Sequence, residues 1–136
     1  VRERLERVGL TFLDGYHAAL ECEGDELAAR LDTTEPVFRG FGYEGAAMAL
    51  ALLDQLTPWR RGRLAAFLRG AGAPHAYMVH VGAGWALARL RRRMDGVPRG
   101  MDPLLGWLAA DGYGFHEGYF HPRRYAGGAA PPRFCR

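Results

Sequence analysis

The chain contains no lysine, asparagine, isoleucine or serine. The absence of serine excludes a serine nucleophile from these 136 residues. Lysine, asparagine and isoleucine have AT-rich codons, so their joint absence indicates a GC-rich bacterial genome and makes the arginine excess partly a codon bias. The formal net charge is only +3, and no basic face with interleaved aromatic residues is visible. We therefore predict no nucleic-acid partner.

Cysteine is also scarce. Cys22 and Cys135 lie far apart and fit no metal-binding spacing, so we expect two free thiols and a reducing, cytoplasmic location.

No signal peptide is visible, and the longest apolar runs are too short and too interrupted to cross a bilayer, which predicts no membrane partner. The chain begins at Val1 rather than methionine and ends after the Gly/Pro-rich stretch 126–132, so both ends look cut.

Apolar residues recur at helical spacing, and no alternating run bounded by hairpin turns is present. We predict an all-α fold, a compact bundle of about six helices with Gly/Ala-rich central helices and the arginine-rich first helix outside. The central helices are predicted at 43–56 and 75–93, and a later helix is expected to start at Asp102. Residues 1–124 are assigned to one helical domain and 125–136 to a Gly/Pro-rich linker or tail.

Two segments alternate glycine with aromatic residues and each includes a glutamate: GFGYEG at 40–45 and GYGFHEG at 112–118. Glycine inside a helix costs about 1 kcal/mol relative to alanine, so its use needs a reason. The reasons available are a turn, the close approach of another backbone, or room for a ligand. The first segment also matches G-x-G-x-x-G, but no strand precedes it, so we reject a dinucleotide site.

If the two segments fold back on each other, Glu44, His116 and Glu117 share a pocket. A carboxyl group desolvated there would have a raised pKa and could move a proton, so these three residues are the catalytic candidates. The alternative is that each glutamate caps a helix or pairs with arginine, and this is strongest for Glu44 because a predicted helix begins beside it.

Four further residues are predicted to line an apolar ligand pocket: Tyr43, His80, Trp85 and Tyr113. Each has a simpler alternative. His80, flanked by apolar residues, fits a hydrogen-bonded core histidine, and aromatic rings at helical spacing fit ordinary core packing.

His17 and Glu21 lie one helical turn apart and form a possible metal pair. The remaining histidines are spaced by five residues, which is poor for ligands on one helix face. Neither the Glu-x-x-His pattern of di-iron bundles nor His-Glu-x-x-His is present. We predict no metal and no other cofactor.

Three long segments carry a family resemblance: FRGFGYEGAAMALALLD at 38–54, HAYMVHVGAGWALARL at 75–90 and DPLLGWLAADGYGFHEGYFHPRR at 102–124. They resemble a bacterial family, defined as a domain of unknown function, whose members occur beside enediyne polyketide synthases in actinobacterial gene clusters. The resemblance implies that this chain is the amino-terminal half of a protein more than twice as long, with the carboxy-terminal half as a partner. It implies a pathway, enediyne natural-product biosynthesis, and names no catalytic residues.

Two functions follow as expectations. The first is an accessory protein or enzyme that binds an apolar polyene intermediate in an aromatic-lined pocket. The alternative is a non-catalytic helical scaffold that docks other proteins of the polyketide pathway through its Gly/Ala surfaces. A third hypothesis is metal-dependent oxygen or redox chemistry that uses His17, Glu21 and other histidines.

Overall fold

The computed structural model describes residues 1–94 and 100–126, and within these ranges the chain forms seven α-helices and no strand. The helices are α1 (Arg2–Glu21), α2 (Gly24–Asp32), α3 (Pro36–Leu56), α4 (Arg63–Arg69), α5 (Ala76–Arg89), α6 (Leu108–Phe120) and α7 (Pro122–Tyr125). Short 3₁₀ turns lie at Pro58–Arg60, Ala73–His75 and Leu105–Trp107. The prediction of an all-α bundle is confirmed.

The helix boundaries differ from the predicted ones in both central helices. Helix α3 begins at Pro36 rather than at Tyr43, because proline suits the first turn of a helix and the glycines that follow do not break it. Helix α5 ends at Arg89 rather than at Arg93. Both Gly–aromatic segments therefore lie inside helices, the first in α3 and the second in α6.

The four longest helices pack in a row, with α1 against α3, α3 against α5 and α5 against α6. Helices α3 and α5 are therefore central and α1 is outside, as predicted. Their buried faces consist largely of glycine and alanine, so little side-chain volume separates the helix axes.

Glycine allows α5 and α6 to touch through their backbones. A Cβ atom added to Gly84 would lie 1.9 Å from the carbonyl oxygen of Ala109, and one added to Gly112 would lie 1.8 Å from that of Val81. No side chain fits at such distances. The two contacts are reciprocal, since each helix places a glycine against a carbonyl group of the other.

Glycine residues packed against backbone carbonyl groups also join α3 to α1 and α5 to α3. A Cβ atom at Gly45 would lie 1.9 Å from the Phe12 carbonyl oxygen, which fixes α3 against α1. One at Gly82 would lie 2.1 Å from the Glu44 carbonyl oxygen, which fixes α5 against α3. Of the three reasons for glycine, close backbone approach is therefore the one that applies at these positions.

Helix α5 ends in a Schellman motif. The Arg92 N–H bonds the Leu87 carbonyl group at 2.9 Å, and the Arg91 N–H bonds that of Ala88 at 3.0 Å. Arg91 takes the left-handed conformation, with φ of 53°, at the position that glycine usually occupies. A side chain in this conformation costs about 1 kcal/mol, a cost that glycine would not have.

The carboxy-terminal assignment changes at one residue. Tyr125, predicted as the first linker residue, is the last residue of α7. The rest of that predicted linker, 127–136, and with it Cys135, lies outside the described residues.

Cys22 is a buried free thiol that donates to the Ala18 carbonyl oxygen at 3.1 Å. None of the described helices is long and apolar enough to cross a membrane.

Candidate functional site

Trp85 on α5 is where the two Gly–aromatic segments meet. Its indole Nε1–H donates to Oε1 of Glu44 on α3 at 2.9 Å. Its ring meets the edge of the His116 ring on α6, with 5.8 Å between centroids. Residues about seventy positions apart in sequence are thus brought to one side chain.

Glu44 is a buried carboxyl group without a countercharge. Its exposed fraction is only 6%, and the ion pairs of residues 1–94 and 100–126 do not include it. Burial raises its pKa to about 7, although the hydrogen bond from Trp85 pulls the other way. Glu44 therefore neither caps a helix nor pairs with arginine, and near neutral pH it exists in both protonation states.

His116 and Glu117 form the second part of the site. The Nδ1 atom of His116 lies 3.4 Å from Oε1 of Glu117, and both side chains are buried. Burial lowers the pKa of His116, with Glu117 acting in the opposite sense. Burial alone would raise the pKa of Glu117, but the Tyr125 hydroxyl, His121 and His116 outweigh it and lower that pKa. The pair is therefore a neutral imidazole beside a carboxylate near neutral pH.

The Tyr125 hydroxyl donates to Oε2 of Glu117 at 2.6 Å, and an Arg124 nitrogen lies 4.0 Å from the same oxygen. These contacts fix the carboxylate from the side opposite His116. Tyr125 and Arg124 belong to the short helix α7, which therefore serves to hold Glu117 in place.

A hollow of about 180 Å³ opens beside this pair, and we call it the arginine hollow. It is lined by Ala88, Arg89, Arg91, Tyr113, His116, Glu117, His121 and Arg124. Of the predicted site residues it includes Tyr113, His116 and Glu117 but neither Glu44 nor Trp85, which lie on the other side of His116. At this size it fits a small polar group rather than a whole organic ligand.

A larger cavity of about 400 Å³ lies elsewhere, between α3, α4 and α5, and none of the predicted site residues lines it. Its walls include Ala51, Leu64, Leu68, Ala83 and Met101. The carboxylate of Asp54 at its edge accepts the backbone N–H groups of Arg63 and Leu64, both at 3.1 Å, so it is committed to the start of α4. This cavity has room but no free acid–base group among its lining residues.

Tyr43 faces away from Trp85. Its ring stacks on His75 with 4.1 Å between centroids and on Phe67 with 5.6 Å, and its hydroxyl donates to Asp32 at 2.9 Å. Burial raises its pKa to about 12, so the phenol remains a donor. Adjacent helix positions point about 100° apart, which separates Tyr43 from Glu44. The structure does not bring this predicted ligand-binding residue to the site.

His80 is hydrogen-bonded at both ring nitrogens. Its Nδ1 lies 2.6 Å from the Ala76 carbonyl oxygen, and its Nε2 accepts the Asp102 backbone N–H at 3.2 Å. The Asp102 carboxylate in turn accepts the N–H groups of Leu104 and Leu105 at 2.8 Å, as a helix-capping residue does. The helix predicted to start at Asp102 does not begin there, because a turn and the 3₁₀ turn Leu105–Trp107 come before α6, which starts at Leu108. His80 thus ties α5 to the segment before α6, the arrangement of a structural core histidine.

Sequence reasoning missed two of the rings around Trp85, those of Phe12 and Phe120. Phe12 packs on it with 5.2 Å between centroids and Phe120 with 6.4 Å, while Phe120 also contacts His116 at 4.9 Å. Tyr119 lies at 6.5 Å from Trp85 and is 76% exposed. The rings form a surface that reaches solvent at Tyr119 and Phe120. Helical spacing from Trp85 alone does not reveal them, because they come from α1 and α6.

Glu21, one residue of the predicted His17–Glu21 metal pair, contacts an arginine instead. Glu21 forms an ion pair with Arg30, which lowers the pKa of Glu21, and His17 is exposed. Among residues 1–94 and 100–126, no group of three or more histidine, cysteine, aspartate or glutamate side chains is placed to hold a metal ion.

No curated protein and no solved structure matches the chain. One family does match, over residues 1–135, and its description is "Protein of unknown function (DUF1702)". Since the match covers almost the whole sequence, the chain belongs to the DUF1702 family.

Proposed function

We propose that this chain is a domain of an accessory protein or enzyme of enediyne-type polyketide biosynthesis, acting in the cytoplasm. In this proposal an apolar polyene intermediate lies on the ring surface around Trp85, and Glu44 with the His116–Glu117 pair supplies or accepts a proton. The resemblance of the three long segments supports the pathway. The meeting of Glu44, Trp85 and His116 supports the site.

The single observation that carries the proposal is a buried carboxyl group, that of Glu44, hydrogen-bonded to the indole ring of Trp85. The hydrogen bond from Trp85 holds Glu44 in a desolvated position, where its pKa of about 7 suits proton transfer near neutral pH. Flat conjugated ligands stack well on indole and phenyl rings. From the same resemblance we propose that the remaining half of a longer protein covers the exposed side of Tyr119 and Phe120.

Binding is tested on the full-length protein with all-trans-retinol, an uncharged linear conjugated polyene. We expect a shifted absorbance band and quenching of Trp85 fluorescence. Phe120→Ala removes a ring that is 57% exposed, so it should leave the fold intact and weaken binding about fivefold. Ala65→Trp, which fills the larger cavity, is the matched control and should leave binding unchanged.

Two outcomes would contradict this part of the proposal. The first is no spectral change at high protein concentration. The second is loss of binding in Ala65→Trp with normal binding in Phe120→Ala, which would put the ligand in the larger cavity.

The chemical role is tested by pathway output. Glu117→Gln and His116→Ala should each lower production of the polyketide product by about tenfold or more, the usual minimum for loss of a general acid or base. Unchanged output from correctly folded variants would instead favour the scaffold.

One observation favours that scaffold alternative. The outer face of α6 exposes Phe115 at 63% and Tyr119 at 76%, and a Cβ atom at Gly114 or Gly118 would meet nothing within 4 Å. Trp107, in the 3₁₀ turn before α6, is 59% exposed. The Gly/Ala surfaces of α1, α3 and α5 are used inside the bundle, so a partner helix would have to dock on α6.

A further inference from the structure

The arginine hollow has an excess of positive charge. Three arginines are among its lining residues, Arg89, Arg91 and Arg124, against a single carboxylate, that of Glu117. That carboxylate already has partners in the Tyr125 hydroxyl at 2.6 Å and in His116 at 3.4 Å. One carboxylate can balance only one of the three arginine charges, and Arg124 lies 4.0 Å from its Oε2, so the charges of Arg89 and Arg91 are left unbalanced.

Arg89 and Arg91 have no countercharge of their own. Within the two described ranges, 1–94 and 100–126, neither side chain makes an ion pair or a hydrogen bond. Like charges at the mouth of a partly buried hollow repel each other, and a bound anion removes that repulsion. Guanidinium groups are also the side chains best shaped to bind carboxylate or phosphate oxygens.

The backbone conformation of Arg91 distinguishes this hollow from an ordinary helix end that carries basic residues. Arginines after α5 complement the helix dipole, and Arg92 would serve that purpose without strain. Arg91 instead occupies the left-handed position where glycine is normal, and its side chain lines the hollow. A strained backbone at a charged hollow is typical of a binding site.

The size of the hollow selects the kind of group that enters. Its volume of about 180 Å³ is below the roughly 300–1,000 Å³ of pockets that hold whole organic ligands, so it suits a compact oxyanion rather than a polyene chain. His116 lines the hollow on one side and contacts Trp85 on the other. A ligand could therefore place its apolar part on the Trp85 rings and a charged end among the arginines.

We propose that the arginine hollow binds a compact oxyanion, a carboxylate or phosphate group, at one end of an otherwise apolar ligand. This inference rests on the proposed function for the position of the apolar part. It adds the substrate class: an acidic rather than a neutral polyene.

The test compares all-trans-retinoic acid with all-trans-retinol, which differ in the charged end, on the full-length protein. We expect the acid to bind about tenfold more tightly than the alcohol. Arg91→Gly should remove most of that difference while leaving retinol binding unchanged. The variant relieves the left-handed strain, so its Tm should rise, and weaker binding cannot be attributed to unfolding. Arg92→Gly is the matched control, with the same loss of charge at the adjacent position and no effect on the preference.

A second measurement uses inorganic phosphate alone, followed as protection against thermal unfolding. Phosphate should raise the Tm of the wild type and of Arg92→Gly, and not that of Arg91→Gly. If neither retinoid binds but phosphate shows this pattern, oxyanion binding in the arginine hollow is supported and the polyene proposal fails. Equal binding of acid and alcohol, or equal behaviour of the two arginine variants, would overturn the inference while leaving the Trp85 site in place.

Discussion

Gly112→Ala is expected to destabilise the chain by roughly 3 kcal/mol, whereas Gly114→Ala, on the same helix, should stabilise it by about 0.5 kcal/mol or more. The added Cβ atom at position 112 would lie 1.8 Å from the Val81 carbonyl oxygen, so α5 and α6 would have to separate. At position 114 the same atom meets nothing within 4 Å and only improves helix propensity. Since small domains are stable by about 5–15 kcal/mol, the first loss is a large part of the total.

The two variants control for each other, because both replace glycine by alanine in the middle of α6. Denaturant unfolding followed by far-UV circular dichroism gives both free energies of unfolding. Similar stabilities for the two variants would contradict backbone contact as the reason for glycine in this helix.

The second large effect is the pH dependence that Glu44 imposes on stability. Its pKa is raised from 4.5 to about 7 in the folded chain, so the folded state holds a proton that the unfolded state has released between these values. The stabilising contribution is complete below pH 4.5 and is lost as the pH rises through about 7. The loss amounts to roughly 3 kcal/mol at pH 8.

Glu44→Gln keeps an oxygen that can accept the Trp85 N–H and cannot ionise. We expect this variant to match the wild type at pH 4 and to exceed its stability by roughly 3 kcal/mol at pH 8. Glu26→Gln, at an exposed glutamate, is the control and should leave the pH profile unchanged. Parallel profiles for Glu44→Gln and the wild type would contradict the raised pKa.

A chain that becomes more stable when Glu44 is neutralised carries a carboxyl group that folding alone does not favour. Such groups are concentrated at functional sites, where stability is given up for chemistry. The same reasoning applies to Arg91, whose backbone conformation glycine would adopt at lower cost.

The helices could be predicted because their apolar residues repeat with helical period, and the central place of α3 and α5 followed from their small residues. The start of α3 at Pro36 could not, since the sequence left open whether its glycines serve a turn, a backbone contact or a ligand. Only the position of the neighbouring carbonyl group, as at Gly45 and Phe12, shows that a glycine serves backbone contact. That position is a property of the packed bundle rather than of the local sequence.

The candidate site was predicted in part. Glu44, His116 and Glu117 were identified from the repeated Gly–aromatic pattern, and Trp85 was predicted as an aromatic wall of the pocket. Tyr43, one residue from Glu44, points elsewhere because adjacent helix positions point about 100° apart. The arginines of the hollow were discounted as codon bias. Their grouping depends on the left-handed turn at Arg91, which no spacing rule for arginine predicts.

The most direct test of the account is the titration of Glu44 itself, followed by carbon-13 NMR of the side-chain carboxyl group and assigned by its absence in Glu44→Gln. The account predicts a midpoint near 7, since burial against Trp85 leaves the carboxylate without a countercharge. A midpoint near 4.5, as for an exposed glutamate, would show that Glu44 is solvated and would remove the proton-active group from the proposed site.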